Sequence, residues 1–156
     1  GGLSLQLRVD RVDQLPDGSR VIIDYKSGSC SVGDWLGDRP ARPQLLLYGS
    51  AEPETTAALA FAQVRARDCR YVGLGRVAAA SGISTDITRV VKSRLKSQDW
   101  ASLNVRWREN LERLATAFVE GAAQVEPLTR SSCTWCGLQS LCRVTVPEVS
   151  GEAADE

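Results

Sequence analysis

The sequence predicts an α/β (α+β) fold: a central β-sheet flanked by helices, followed by a cysteine-rich segment at the C-terminal end. Three observations predict it. Two apolar runs flank the turn signal Pro16-Asp17-Gly18, a second pair of strand-like runs lies at Ala57–Arg65 and Tyr71–Val77, and Leu103, Trp107, Leu111, Leu114 and Phe118 recur at helical spacing. Period two marks strands and steps of three and four mark a helix with one buried face.

The first strand pair spans residues 3–14 and 20–27 and contains Arg8-Val9-Asp10-Arg11-Val12-Asp13 and Val21-Ile22-Ile23-Asp24-Tyr25-Lys26-Ser27-Gly28. Proline presets the first turn position, aspartate bonds its own backbone and glycine accepts positive φ. A three-residue Pro16–Gly18 loop pairs Leu15 with Ser19, Asp13 with Val21, Arg11 with Ile23 and Asp10 with Asp24, and sets Arg8 opposite Lys26. Side chains alternate, so Asp10, Asp24 and Lys26 then share one face, while Val9, Val21, Ile23 and Tyr25 share the other, expected to be the core side. A two-residue Asp17-Gly18 loop shifts the register by one and turns Asp10 away from Asp24.

Like charges directly opposite each other in a sheet are unfavourable. Asp10 facing Asp24 therefore asks for a cation, and a hard divalent ion such as Mg²⁺ or Mn²⁺ prefers oxygen ligands. Such an ion acidifies a bound water and neutralises charge developing on a phosphate. Lys26 reaches the same side and can orient the water or stabilise that charge. An exposed hairpin face with scattered charges is the plainer reading of the same residues. Asp13 reads as a surface or supporting residue and Asp17 as a turn residue.

The remaining elements follow in order. Gly28–Arg42 reads as a loop with a short Val32–Leu36 segment, and Gln44–Ser50 as a short helix on which Gln44 and Tyr48 share a face. Ala57–Arg65 is alanine-rich and ambiguous; its position before Tyr71–Val77 favours a strand, the two closing the sheet as a second hairpin. Residues 81–97 are polar, with a helix or turn after Thr88. A long helix is expected over about 103–124, with Trp100 packing at its start and its aromatic stripe forming core. One domain is expected over residues 1–146, including the cysteine segment 131–143, and residues 147–156 read as a disordered tail.

The 156 residues carry 19 Lys plus Arg and 19 Asp plus Glu. This balance argues against a dedicated nucleic-acid-binding module, although Arg89, Lys92, Arg94 and Lys96 form a local basic segment, read either as a phosphate contact or as a solvated helix face. There is no histidine, which removes imidazole zinc sites and histidine acid–base chemistry. No run of eighteen apolar residues and no signal peptide is present, so a cytoplasmic protein without membrane attachment is expected. The sequence enters a strand almost at once and lacks an initiator methionine, which reads as a piece of a longer protein.

Five cysteines, Cys30, Cys69, Cys133, Cys136 and Cys142, are a poor basis for a disulfide scaffold. Cys133, Cys136 and Cys142, spaced C-x2-C-x5-C, suggest metal ligation but leave a zinc or iron–sulfur site one ligand short. Cys30, Cys69 or a residue upstream would complete it; reduced cysteines packed under a helix turn are the competing reading. Cys69, in a turn at Arg67-Asp68-Cys69-Arg70, has no special role.

Asp10 followed by Asp24-Tyr25-Lys26 resembles the central motif of the PD-(D/E)XK nuclease superfamily, and Gln44-Leu45-Leu46-Leu47-Tyr48 resembles the Gln-x3-Tyr helix of its RecB/AddB-type branch. The Cys133/Cys136/Cys142 segment is similar to the end of the iron–sulfur subtype. The resemblance covers roughly residues 5–143 and implies a restriction-endonuclease-like mixed β-sheet. It implies that Asp10 and Asp24, with the Tyr25 main-chain carbonyl, ligate Mg²⁺ or Mn²⁺, that Lys26 is the catalytic lysine, and that Gln44 and Tyr48 position DNA or the active-site loop. Cys133, Cys136 and Cys142 would hold a 4Fe-4S cluster in the full-length protein, its fourth cysteine lying upstream. The implied activity is DNA cleavage, as a nuclease or exonuclease, in recombinational DNA repair beside a helicase partner or subunit.

Elements the family carries before the hairpin have no counterpart here, so the resemblance implies a truncated nuclease domain with impaired activity and exposed core that can drive self-association. The alternative is a non-catalytic DNA-binding or helicase-partner-binding domain that keeps the nuclease-like fold. A zinc-ribbon-like module explains the cysteines and leaves the hairpin unexplained.

Overall fold

The computed structural model describes residues 2–91, 99–134 and 136–143. Its contacts divide the chain into one unit of residues 1–120 and another of residues 121–156.

The first unit is built on a five-stranded mixed sheet in sequence order: β1 (Arg11–Gln14), β2 (Arg20–Lys26), β3 (Thr56–Arg65), β4 (Asp68–Gly75) and β5 (Ile83–Ser84). β1 and β2 form the expected hairpin. Arg11 pairs with Ile23 and Asp13 with Val21, and the Pro16–Gly18 loop is closed by Leu15 N–H to Ser19 O at 2.7 Å and Gly18 N–H to Leu15 O at 2.9 Å. Asp17 supports this turn by accepting the Ser19 amide at 3.0 Å and the Ser19 hydroxyl at 2.6 Å. These bonds hold the Asp17 carboxyl below its ordinary pKa, the Ser19 side-chain bond being the larger cause. The three-residue loop, and with it the register that groups the charges, is the one adopted.

The first strand is shorter than the expected residues 3–14. Pairing stops at Arg11 because the Tyr25 amide, which a longer ladder would give to main chain, donates instead to Asp10 Oδ2 at 3.1 Å.

β2 and β3 are parallel, with Asp24 beside Phe61 and Lys26 beside Gln63. Parallel neighbours need a crossover, which α1 (Gln44–Ala51) provides after a 3-10 turn at Val32–Trp35. β3 is buried on both faces from Thr56 to Gln63. This double burial settles its alanine-rich sequence as strand: Leu59 and Phe61 face one layer, and Ala58, Ala60 and Ala62 the other. β4 pairs antiparallel with β3 and includes Cys69, opposite Val64; the turn therefore lies before Cys69 rather than around it. Gly73 is required there, since a Cβ would lie 2.4 Å from the Leu59 carbonyl oxygen. Tiny β5 has no period-two signature of its own; it is held parallel to β4.

The larger core lies on the sheet face opposite to the one expected. Ile22, Leu59, Phe61 and Leu74 pack there with Trp35, Leu45, Tyr48, Leu103 and Trp107. Val21 and Ile23 do form a second cluster with Ala58, Ala60, Ala62 and Ile83, but Tyr25 on that side is exposed, and Val9, expected there, lines a hollow with Val12, Ile22 and Tyr48 instead. Since Ile22, Asp24 and Lys26 alternate onto one face, Asp24 is carried under the helical layer and buried.

That layer comprises α1, α2 (Ile87–Val91) and α3 (Trp100–Val119). Asp99 caps α3 by accepting the Ser102 amide at 2.7 Å. Trp35 packs on Phe61 at 4.8 Å between ring centroids and edge-on to Trp107 at 6.1 Å, and Trp107 Nε1 donates to Trp35 O at 3.0 Å. The expected helix to residue 124 stops at Val119, where Gly121 takes φ +80 just past the Glu120 cap. Only Leu103 and Trp107 of the stripe are buried; Leu111 and Leu114 are half-buried and Phe118 is 70% exposed.

In the second unit, a 3-10 turn at Arg130–Cys133 precedes α4 (Gln139–Cys142), and the Gln139 side-chain amide donates to Cys133 O. Lys92, Arg94 and Lys96 of the basic segment lie outside the described residues, as do Trp135 and residues 147–156; Arg89 is exposed on α2.

Candidate active site

The site forms where β2 ends beneath the start of α1. Asp24, 1% exposed, is one of the few buried charged residues. Lys26, two residues on and so on the same face, brings Nζ to 2.6 Å from Asp24 Oδ2. This contact lies off a hydrogen-bond direction: Asp24 Oδ2 is buried and no hydrogen bond reaches it. The charges attract while one lone-pair set of the carboxylate stays unsatisfied.

Lys26 also donates to Gln44 Oε1 at 3.4 Å. Gln44 and Tyr48 are one helical turn apart, and Gln44 Nε2 donates to Tyr48 Oη at 2.7 Å. The Tyr48 hydroxyl in turn donates to the main-chain carbonyl of Arg8. Thus Asp24, Lys26, Gln44 and Tyr48 form one polar chain whose far end holds the segment leading into Asp10.

Asp10 stands at the sheet edge. It lies one residue before the Arg11–Ile23 pair that ends the ladder, and its carboxylate accepts the Tyr25 amide at 3.1 Å. A strand residue points its N–H and C=O to the same side, so the Tyr25 carbonyl faces the β1 edge beside Asp10. The Tyr25 ring belongs to the other face, 47% exposed, where its hydroxyl accepts from Arg11 Nη1 at 3.3 Å. Asp13 binds Arg11 through both carboxylate oxygens, at 2.7 and 2.8 Å. It is a surface partner of Arg11.

This donor set fits a hard divalent cation. It offers a buried carboxylate oxygen without a hydrogen bond, a second carboxylate bonded to the Tyr25 amide and the Tyr25 main-chain carbonyl. Among the described residues, no group of three His, Cys, Asp or Glu side chains is arranged to hold a metal. Mg²⁺ commonly binds through one or two carboxylates and completes its shell with waters and substrate phosphates.

The cysteines are not gathered in the same way. Cys133 and Cys142 are half-buried, Cys136 is exposed, and all are free thiols. Cys142 Sγ donates to Gln139 O at 3.7 Å, and no three of these side chains form a metal-holding group. The arrangement gives no support to a cluster at Cys133, Cys136 and Cys142. Cys30 lies close to the β2 end: its thiol donates to Gln63 Oε1 at 3.6 Å, and burial pushes its pKa up. Cys69 is exposed on β4.

Two features escaped the sequence reading. One is the Arg8 carbonyl, since a main-chain acceptor carries no side-chain signal. The other is Arg42, whose guanidinium carbon stands 5.9 Å from the centroid of the Phe61 ring; its place two residues before Gln44 was the available clue.

Asp24, Lys26, Gln44 and Tyr48 are thus linked at one sheet end, with Asp10 held to the Tyr25 amide beside them. A family model of the PD-(D/E)XK nuclease superfamily matches residues 1–143. The chain belongs to this superfamily. A search of curated proteins gave no match, and a search of solved structures gave none. As a PD-(D/E)XK chain it has a restriction-endonuclease-like α/β fold, with a five-stranded mixed sheet and flanking helices. Membership implies nuclease chemistry in general. Among the described residues, no helix is long and apolar enough to cross a membrane.

Proposed function

We propose that this chain is a Mg²⁺- or Mn²⁺-dependent deoxyribonuclease domain whose centre is Asp10, Asp24 and Lys26. The observation that carries the reading is the buried Asp24 carboxylate with an oxygen that no hydrogen bond reaches. Lys26 Nζ lies 2.6 Å from that oxygen but off a hydrogen-bond direction, so the buried carboxylate keeps lone pairs for a further cation.

Asp10, Asp24 and the Tyr25 carbonyl would hold the ion, which when bound acidifies water and offsets charge on the scissile phosphate. Lys26 lies against Asp24 and presents an ammonium where an attacking water or phosphate oxygen would sit. Gln44 orients that ammonium through Oε1. Tyr48 anchors Gln44 and the Arg8 carbonyl together, so that Asp10 keeps its position relative to β2. The finer assignment is a RecB/AddB-type nuclease acting in recombinational repair beside a helicase partner. It rests on the Gln44…Tyr48 pair and on the Asp24-Tyr25-Lys26 motif.

The test is cleavage of labelled single- and double-stranded DNA by the protein in its full-length form, with Mg²⁺ or Mn²⁺ and with EDTA. Asp24→Ala and Lys26→Ala should each lower the rate by about 10³-fold, with near-native circular dichroism. Undiminished cleavage by both folded variants would overturn the assignment.

A further inference from the structure

We infer that Arg42 is a phosphate-binding residue that receives the DNA backbone one phosphate away from the bond being cut. The inference rests on the nuclease reading above.

Asp24 and Phe61 are register partners on adjacent strands, roughly 4.8 Å apart, and both face the helical layer. Arg42 stands over Phe61, so its cation lies about one strand spacing to the side of the acidic centre. An open hollow is lined by Lys26, Gly28, Arg42, Pro43, Gln44 and Phe61. The hollow thus has Lys26 and a second cation, Arg42, in one lining.

Arg42 is held in a way that leaves its recognition end available. Its Nε meets Asp34 Oδ2 at 3.4 Å, its main-chain amide donates to Asp34 O at 3.1 Å, and its guanidinium carbon stands 5.9 Å from the centroid of the buried Phe61 ring. Asp34 is itself fixed, since its carboxylate accepts the Ser31 amide at 3.1 Å in the cap of the 3-10 turn. Neither terminal guanidinium nitrogen donates a hydrogen bond among the described residues. A planar fork whose Nη groups make no hydrogen bond of their own suits two-point recognition of a phosphate. The Phe61 ring also limits the rotamer freedom that binding would otherwise have to remove.

The metal-binding acids need an electroneutral approach path for a polyanion, and the overall charge of the chain is zero. Local cations must therefore do the steering. Lys26 is committed to Asp24. Arg42 is the neighbouring cation whose donors are not.

The experiment is equilibrium binding of a fluorescein-labelled single-stranded oligonucleotide to the full-length protein, in Ca²⁺ to hold cleavage down, over a series of salt concentrations. Mn²⁺ affinity without DNA is measured alongside. Arg42→Gln keeps a side chain over Phe61 and should weaken DNA binding about 5- to 20-fold, while the slope of log K against log salt falls by about 0.7. Arg42→Lys should recover part of the affinity and the full slope, since charge returns without the fork. Mn²⁺ affinity should not change. Arg20→Ala, at the opposite end of β2 and paired with Glu52, serves as the control and should leave DNA binding unchanged.

Unchanged affinity and slope in folded Arg42→Gln overturn the inference while the nuclease reading stands. A protein that cleaves DNA neither with Mg²⁺ nor with Mn²⁺ and binds it without salt dependence overturns both.

Discussion

Lys26 Nζ lies 2.6 Å from Asp24 Oδ2, and the two differ sharply in exposure, the Asp24 side chain at 1% and the Lys26 side chain at 28%. The carboxylate is held in the protein interior while its counter-ion keeps a path to solvent. Removing the lysine strands a buried charge, whereas removing the aspartate frees an ammonium that water can reach.

Lys26→Ala should therefore destabilise the fold more than Asp24→Asn does. Breaking a buried pair costs about 3–5 kcal/mol, and the solvent access of Lys26 lowers the expectation to about 2–3 kcal/mol. Adding Mn²⁺ should recover most of that loss in Lys26→Ala and none of it in Lys26→Ala/Asp24→Ala. Urea unfolding with and without the ion reads both; equal recovery in the two variants would remove the link between Asp24 and the metal.

Tyr48→Phe should separate positioning from chemistry. The variant strips one hydroxyl and leaves the Gln44 amide and the Arg8 carbonyl without their partner, at a cost of about 1–2 kcal/mol. Because Arg8 leads into Asp10, DNA cleavage should fall about 10-fold, and Mn²⁺ should bind more weakly. Full activity with unaltered Mn²⁺ affinity would show that the tyrosine serves stability alone.

The α3 cap gives a pH-dependent signature. The Ser102 main-chain amide, and then its side chain, hold the Asp99 carboxyl below its ordinary pKa. A carboxyl lowered in the folded state stabilises above its unfolded pKa, about 3.9, and loses that contribution as pH falls through the lower folded value. Asp99→Asn keeps a cap acceptor without titrating. Its Tm deficit relative to the parent should be present at pH 7 and shrink below pH 4, as scanning calorimetry at the two pH values would show. A deficit that grows with acid would contradict the assignment.

Gly73→Ala should be among the most damaging small substitutions in the sheet. The added Cβ would meet the Leu59 carbonyl oxygen at 2.4 Å and the Ala60 Cα at 2.9 Å, both backbone atoms that cannot swing aside. Overpacking of this kind costs about 3 kcal/mol or more. A chemical-denaturation midpoint equal to that of the parent would mean that β3 and β4 are farther apart than described.

Thiol accessibility checks the surroundings of the β2 end. Burial raises the Cys30 pKa, so its thiolate is scarce at neutral pH and alkylation should be slow. Exposed Cys69 and Cys136 should be labelled well before it in a timed iodoacetamide reaction followed by mass spectrometry. Early labelling of Cys30 would indicate an open β2 end.

The sequence alone determined the hairpin and narrowed its register to two loop lengths, of which the structure adopts the three-residue one. Pro16, Asp17 and Gly18 specify their turn through local backbone chemistry, and a fixed turn dictates every cross-strand pair that follows. The same holds for the shared helix face of Gln44 and Tyr48, a consequence of four-residue spacing. Burial was not legible in the same way. Val21, Ile23 and Tyr25 look like a core face by alternation, yet the helical layer settled on the Ile22 side, because Leu59, Phe61 and Leu74 from distant strands align there with Trp35 and Trp107. Only that long-range packing buries Asp24 and sets Arg42 over Phe61. The pairing of charges is local and written in the spacing of residues; their desolvation is not local, and the tertiary structure decides it by what the other elements lay over them.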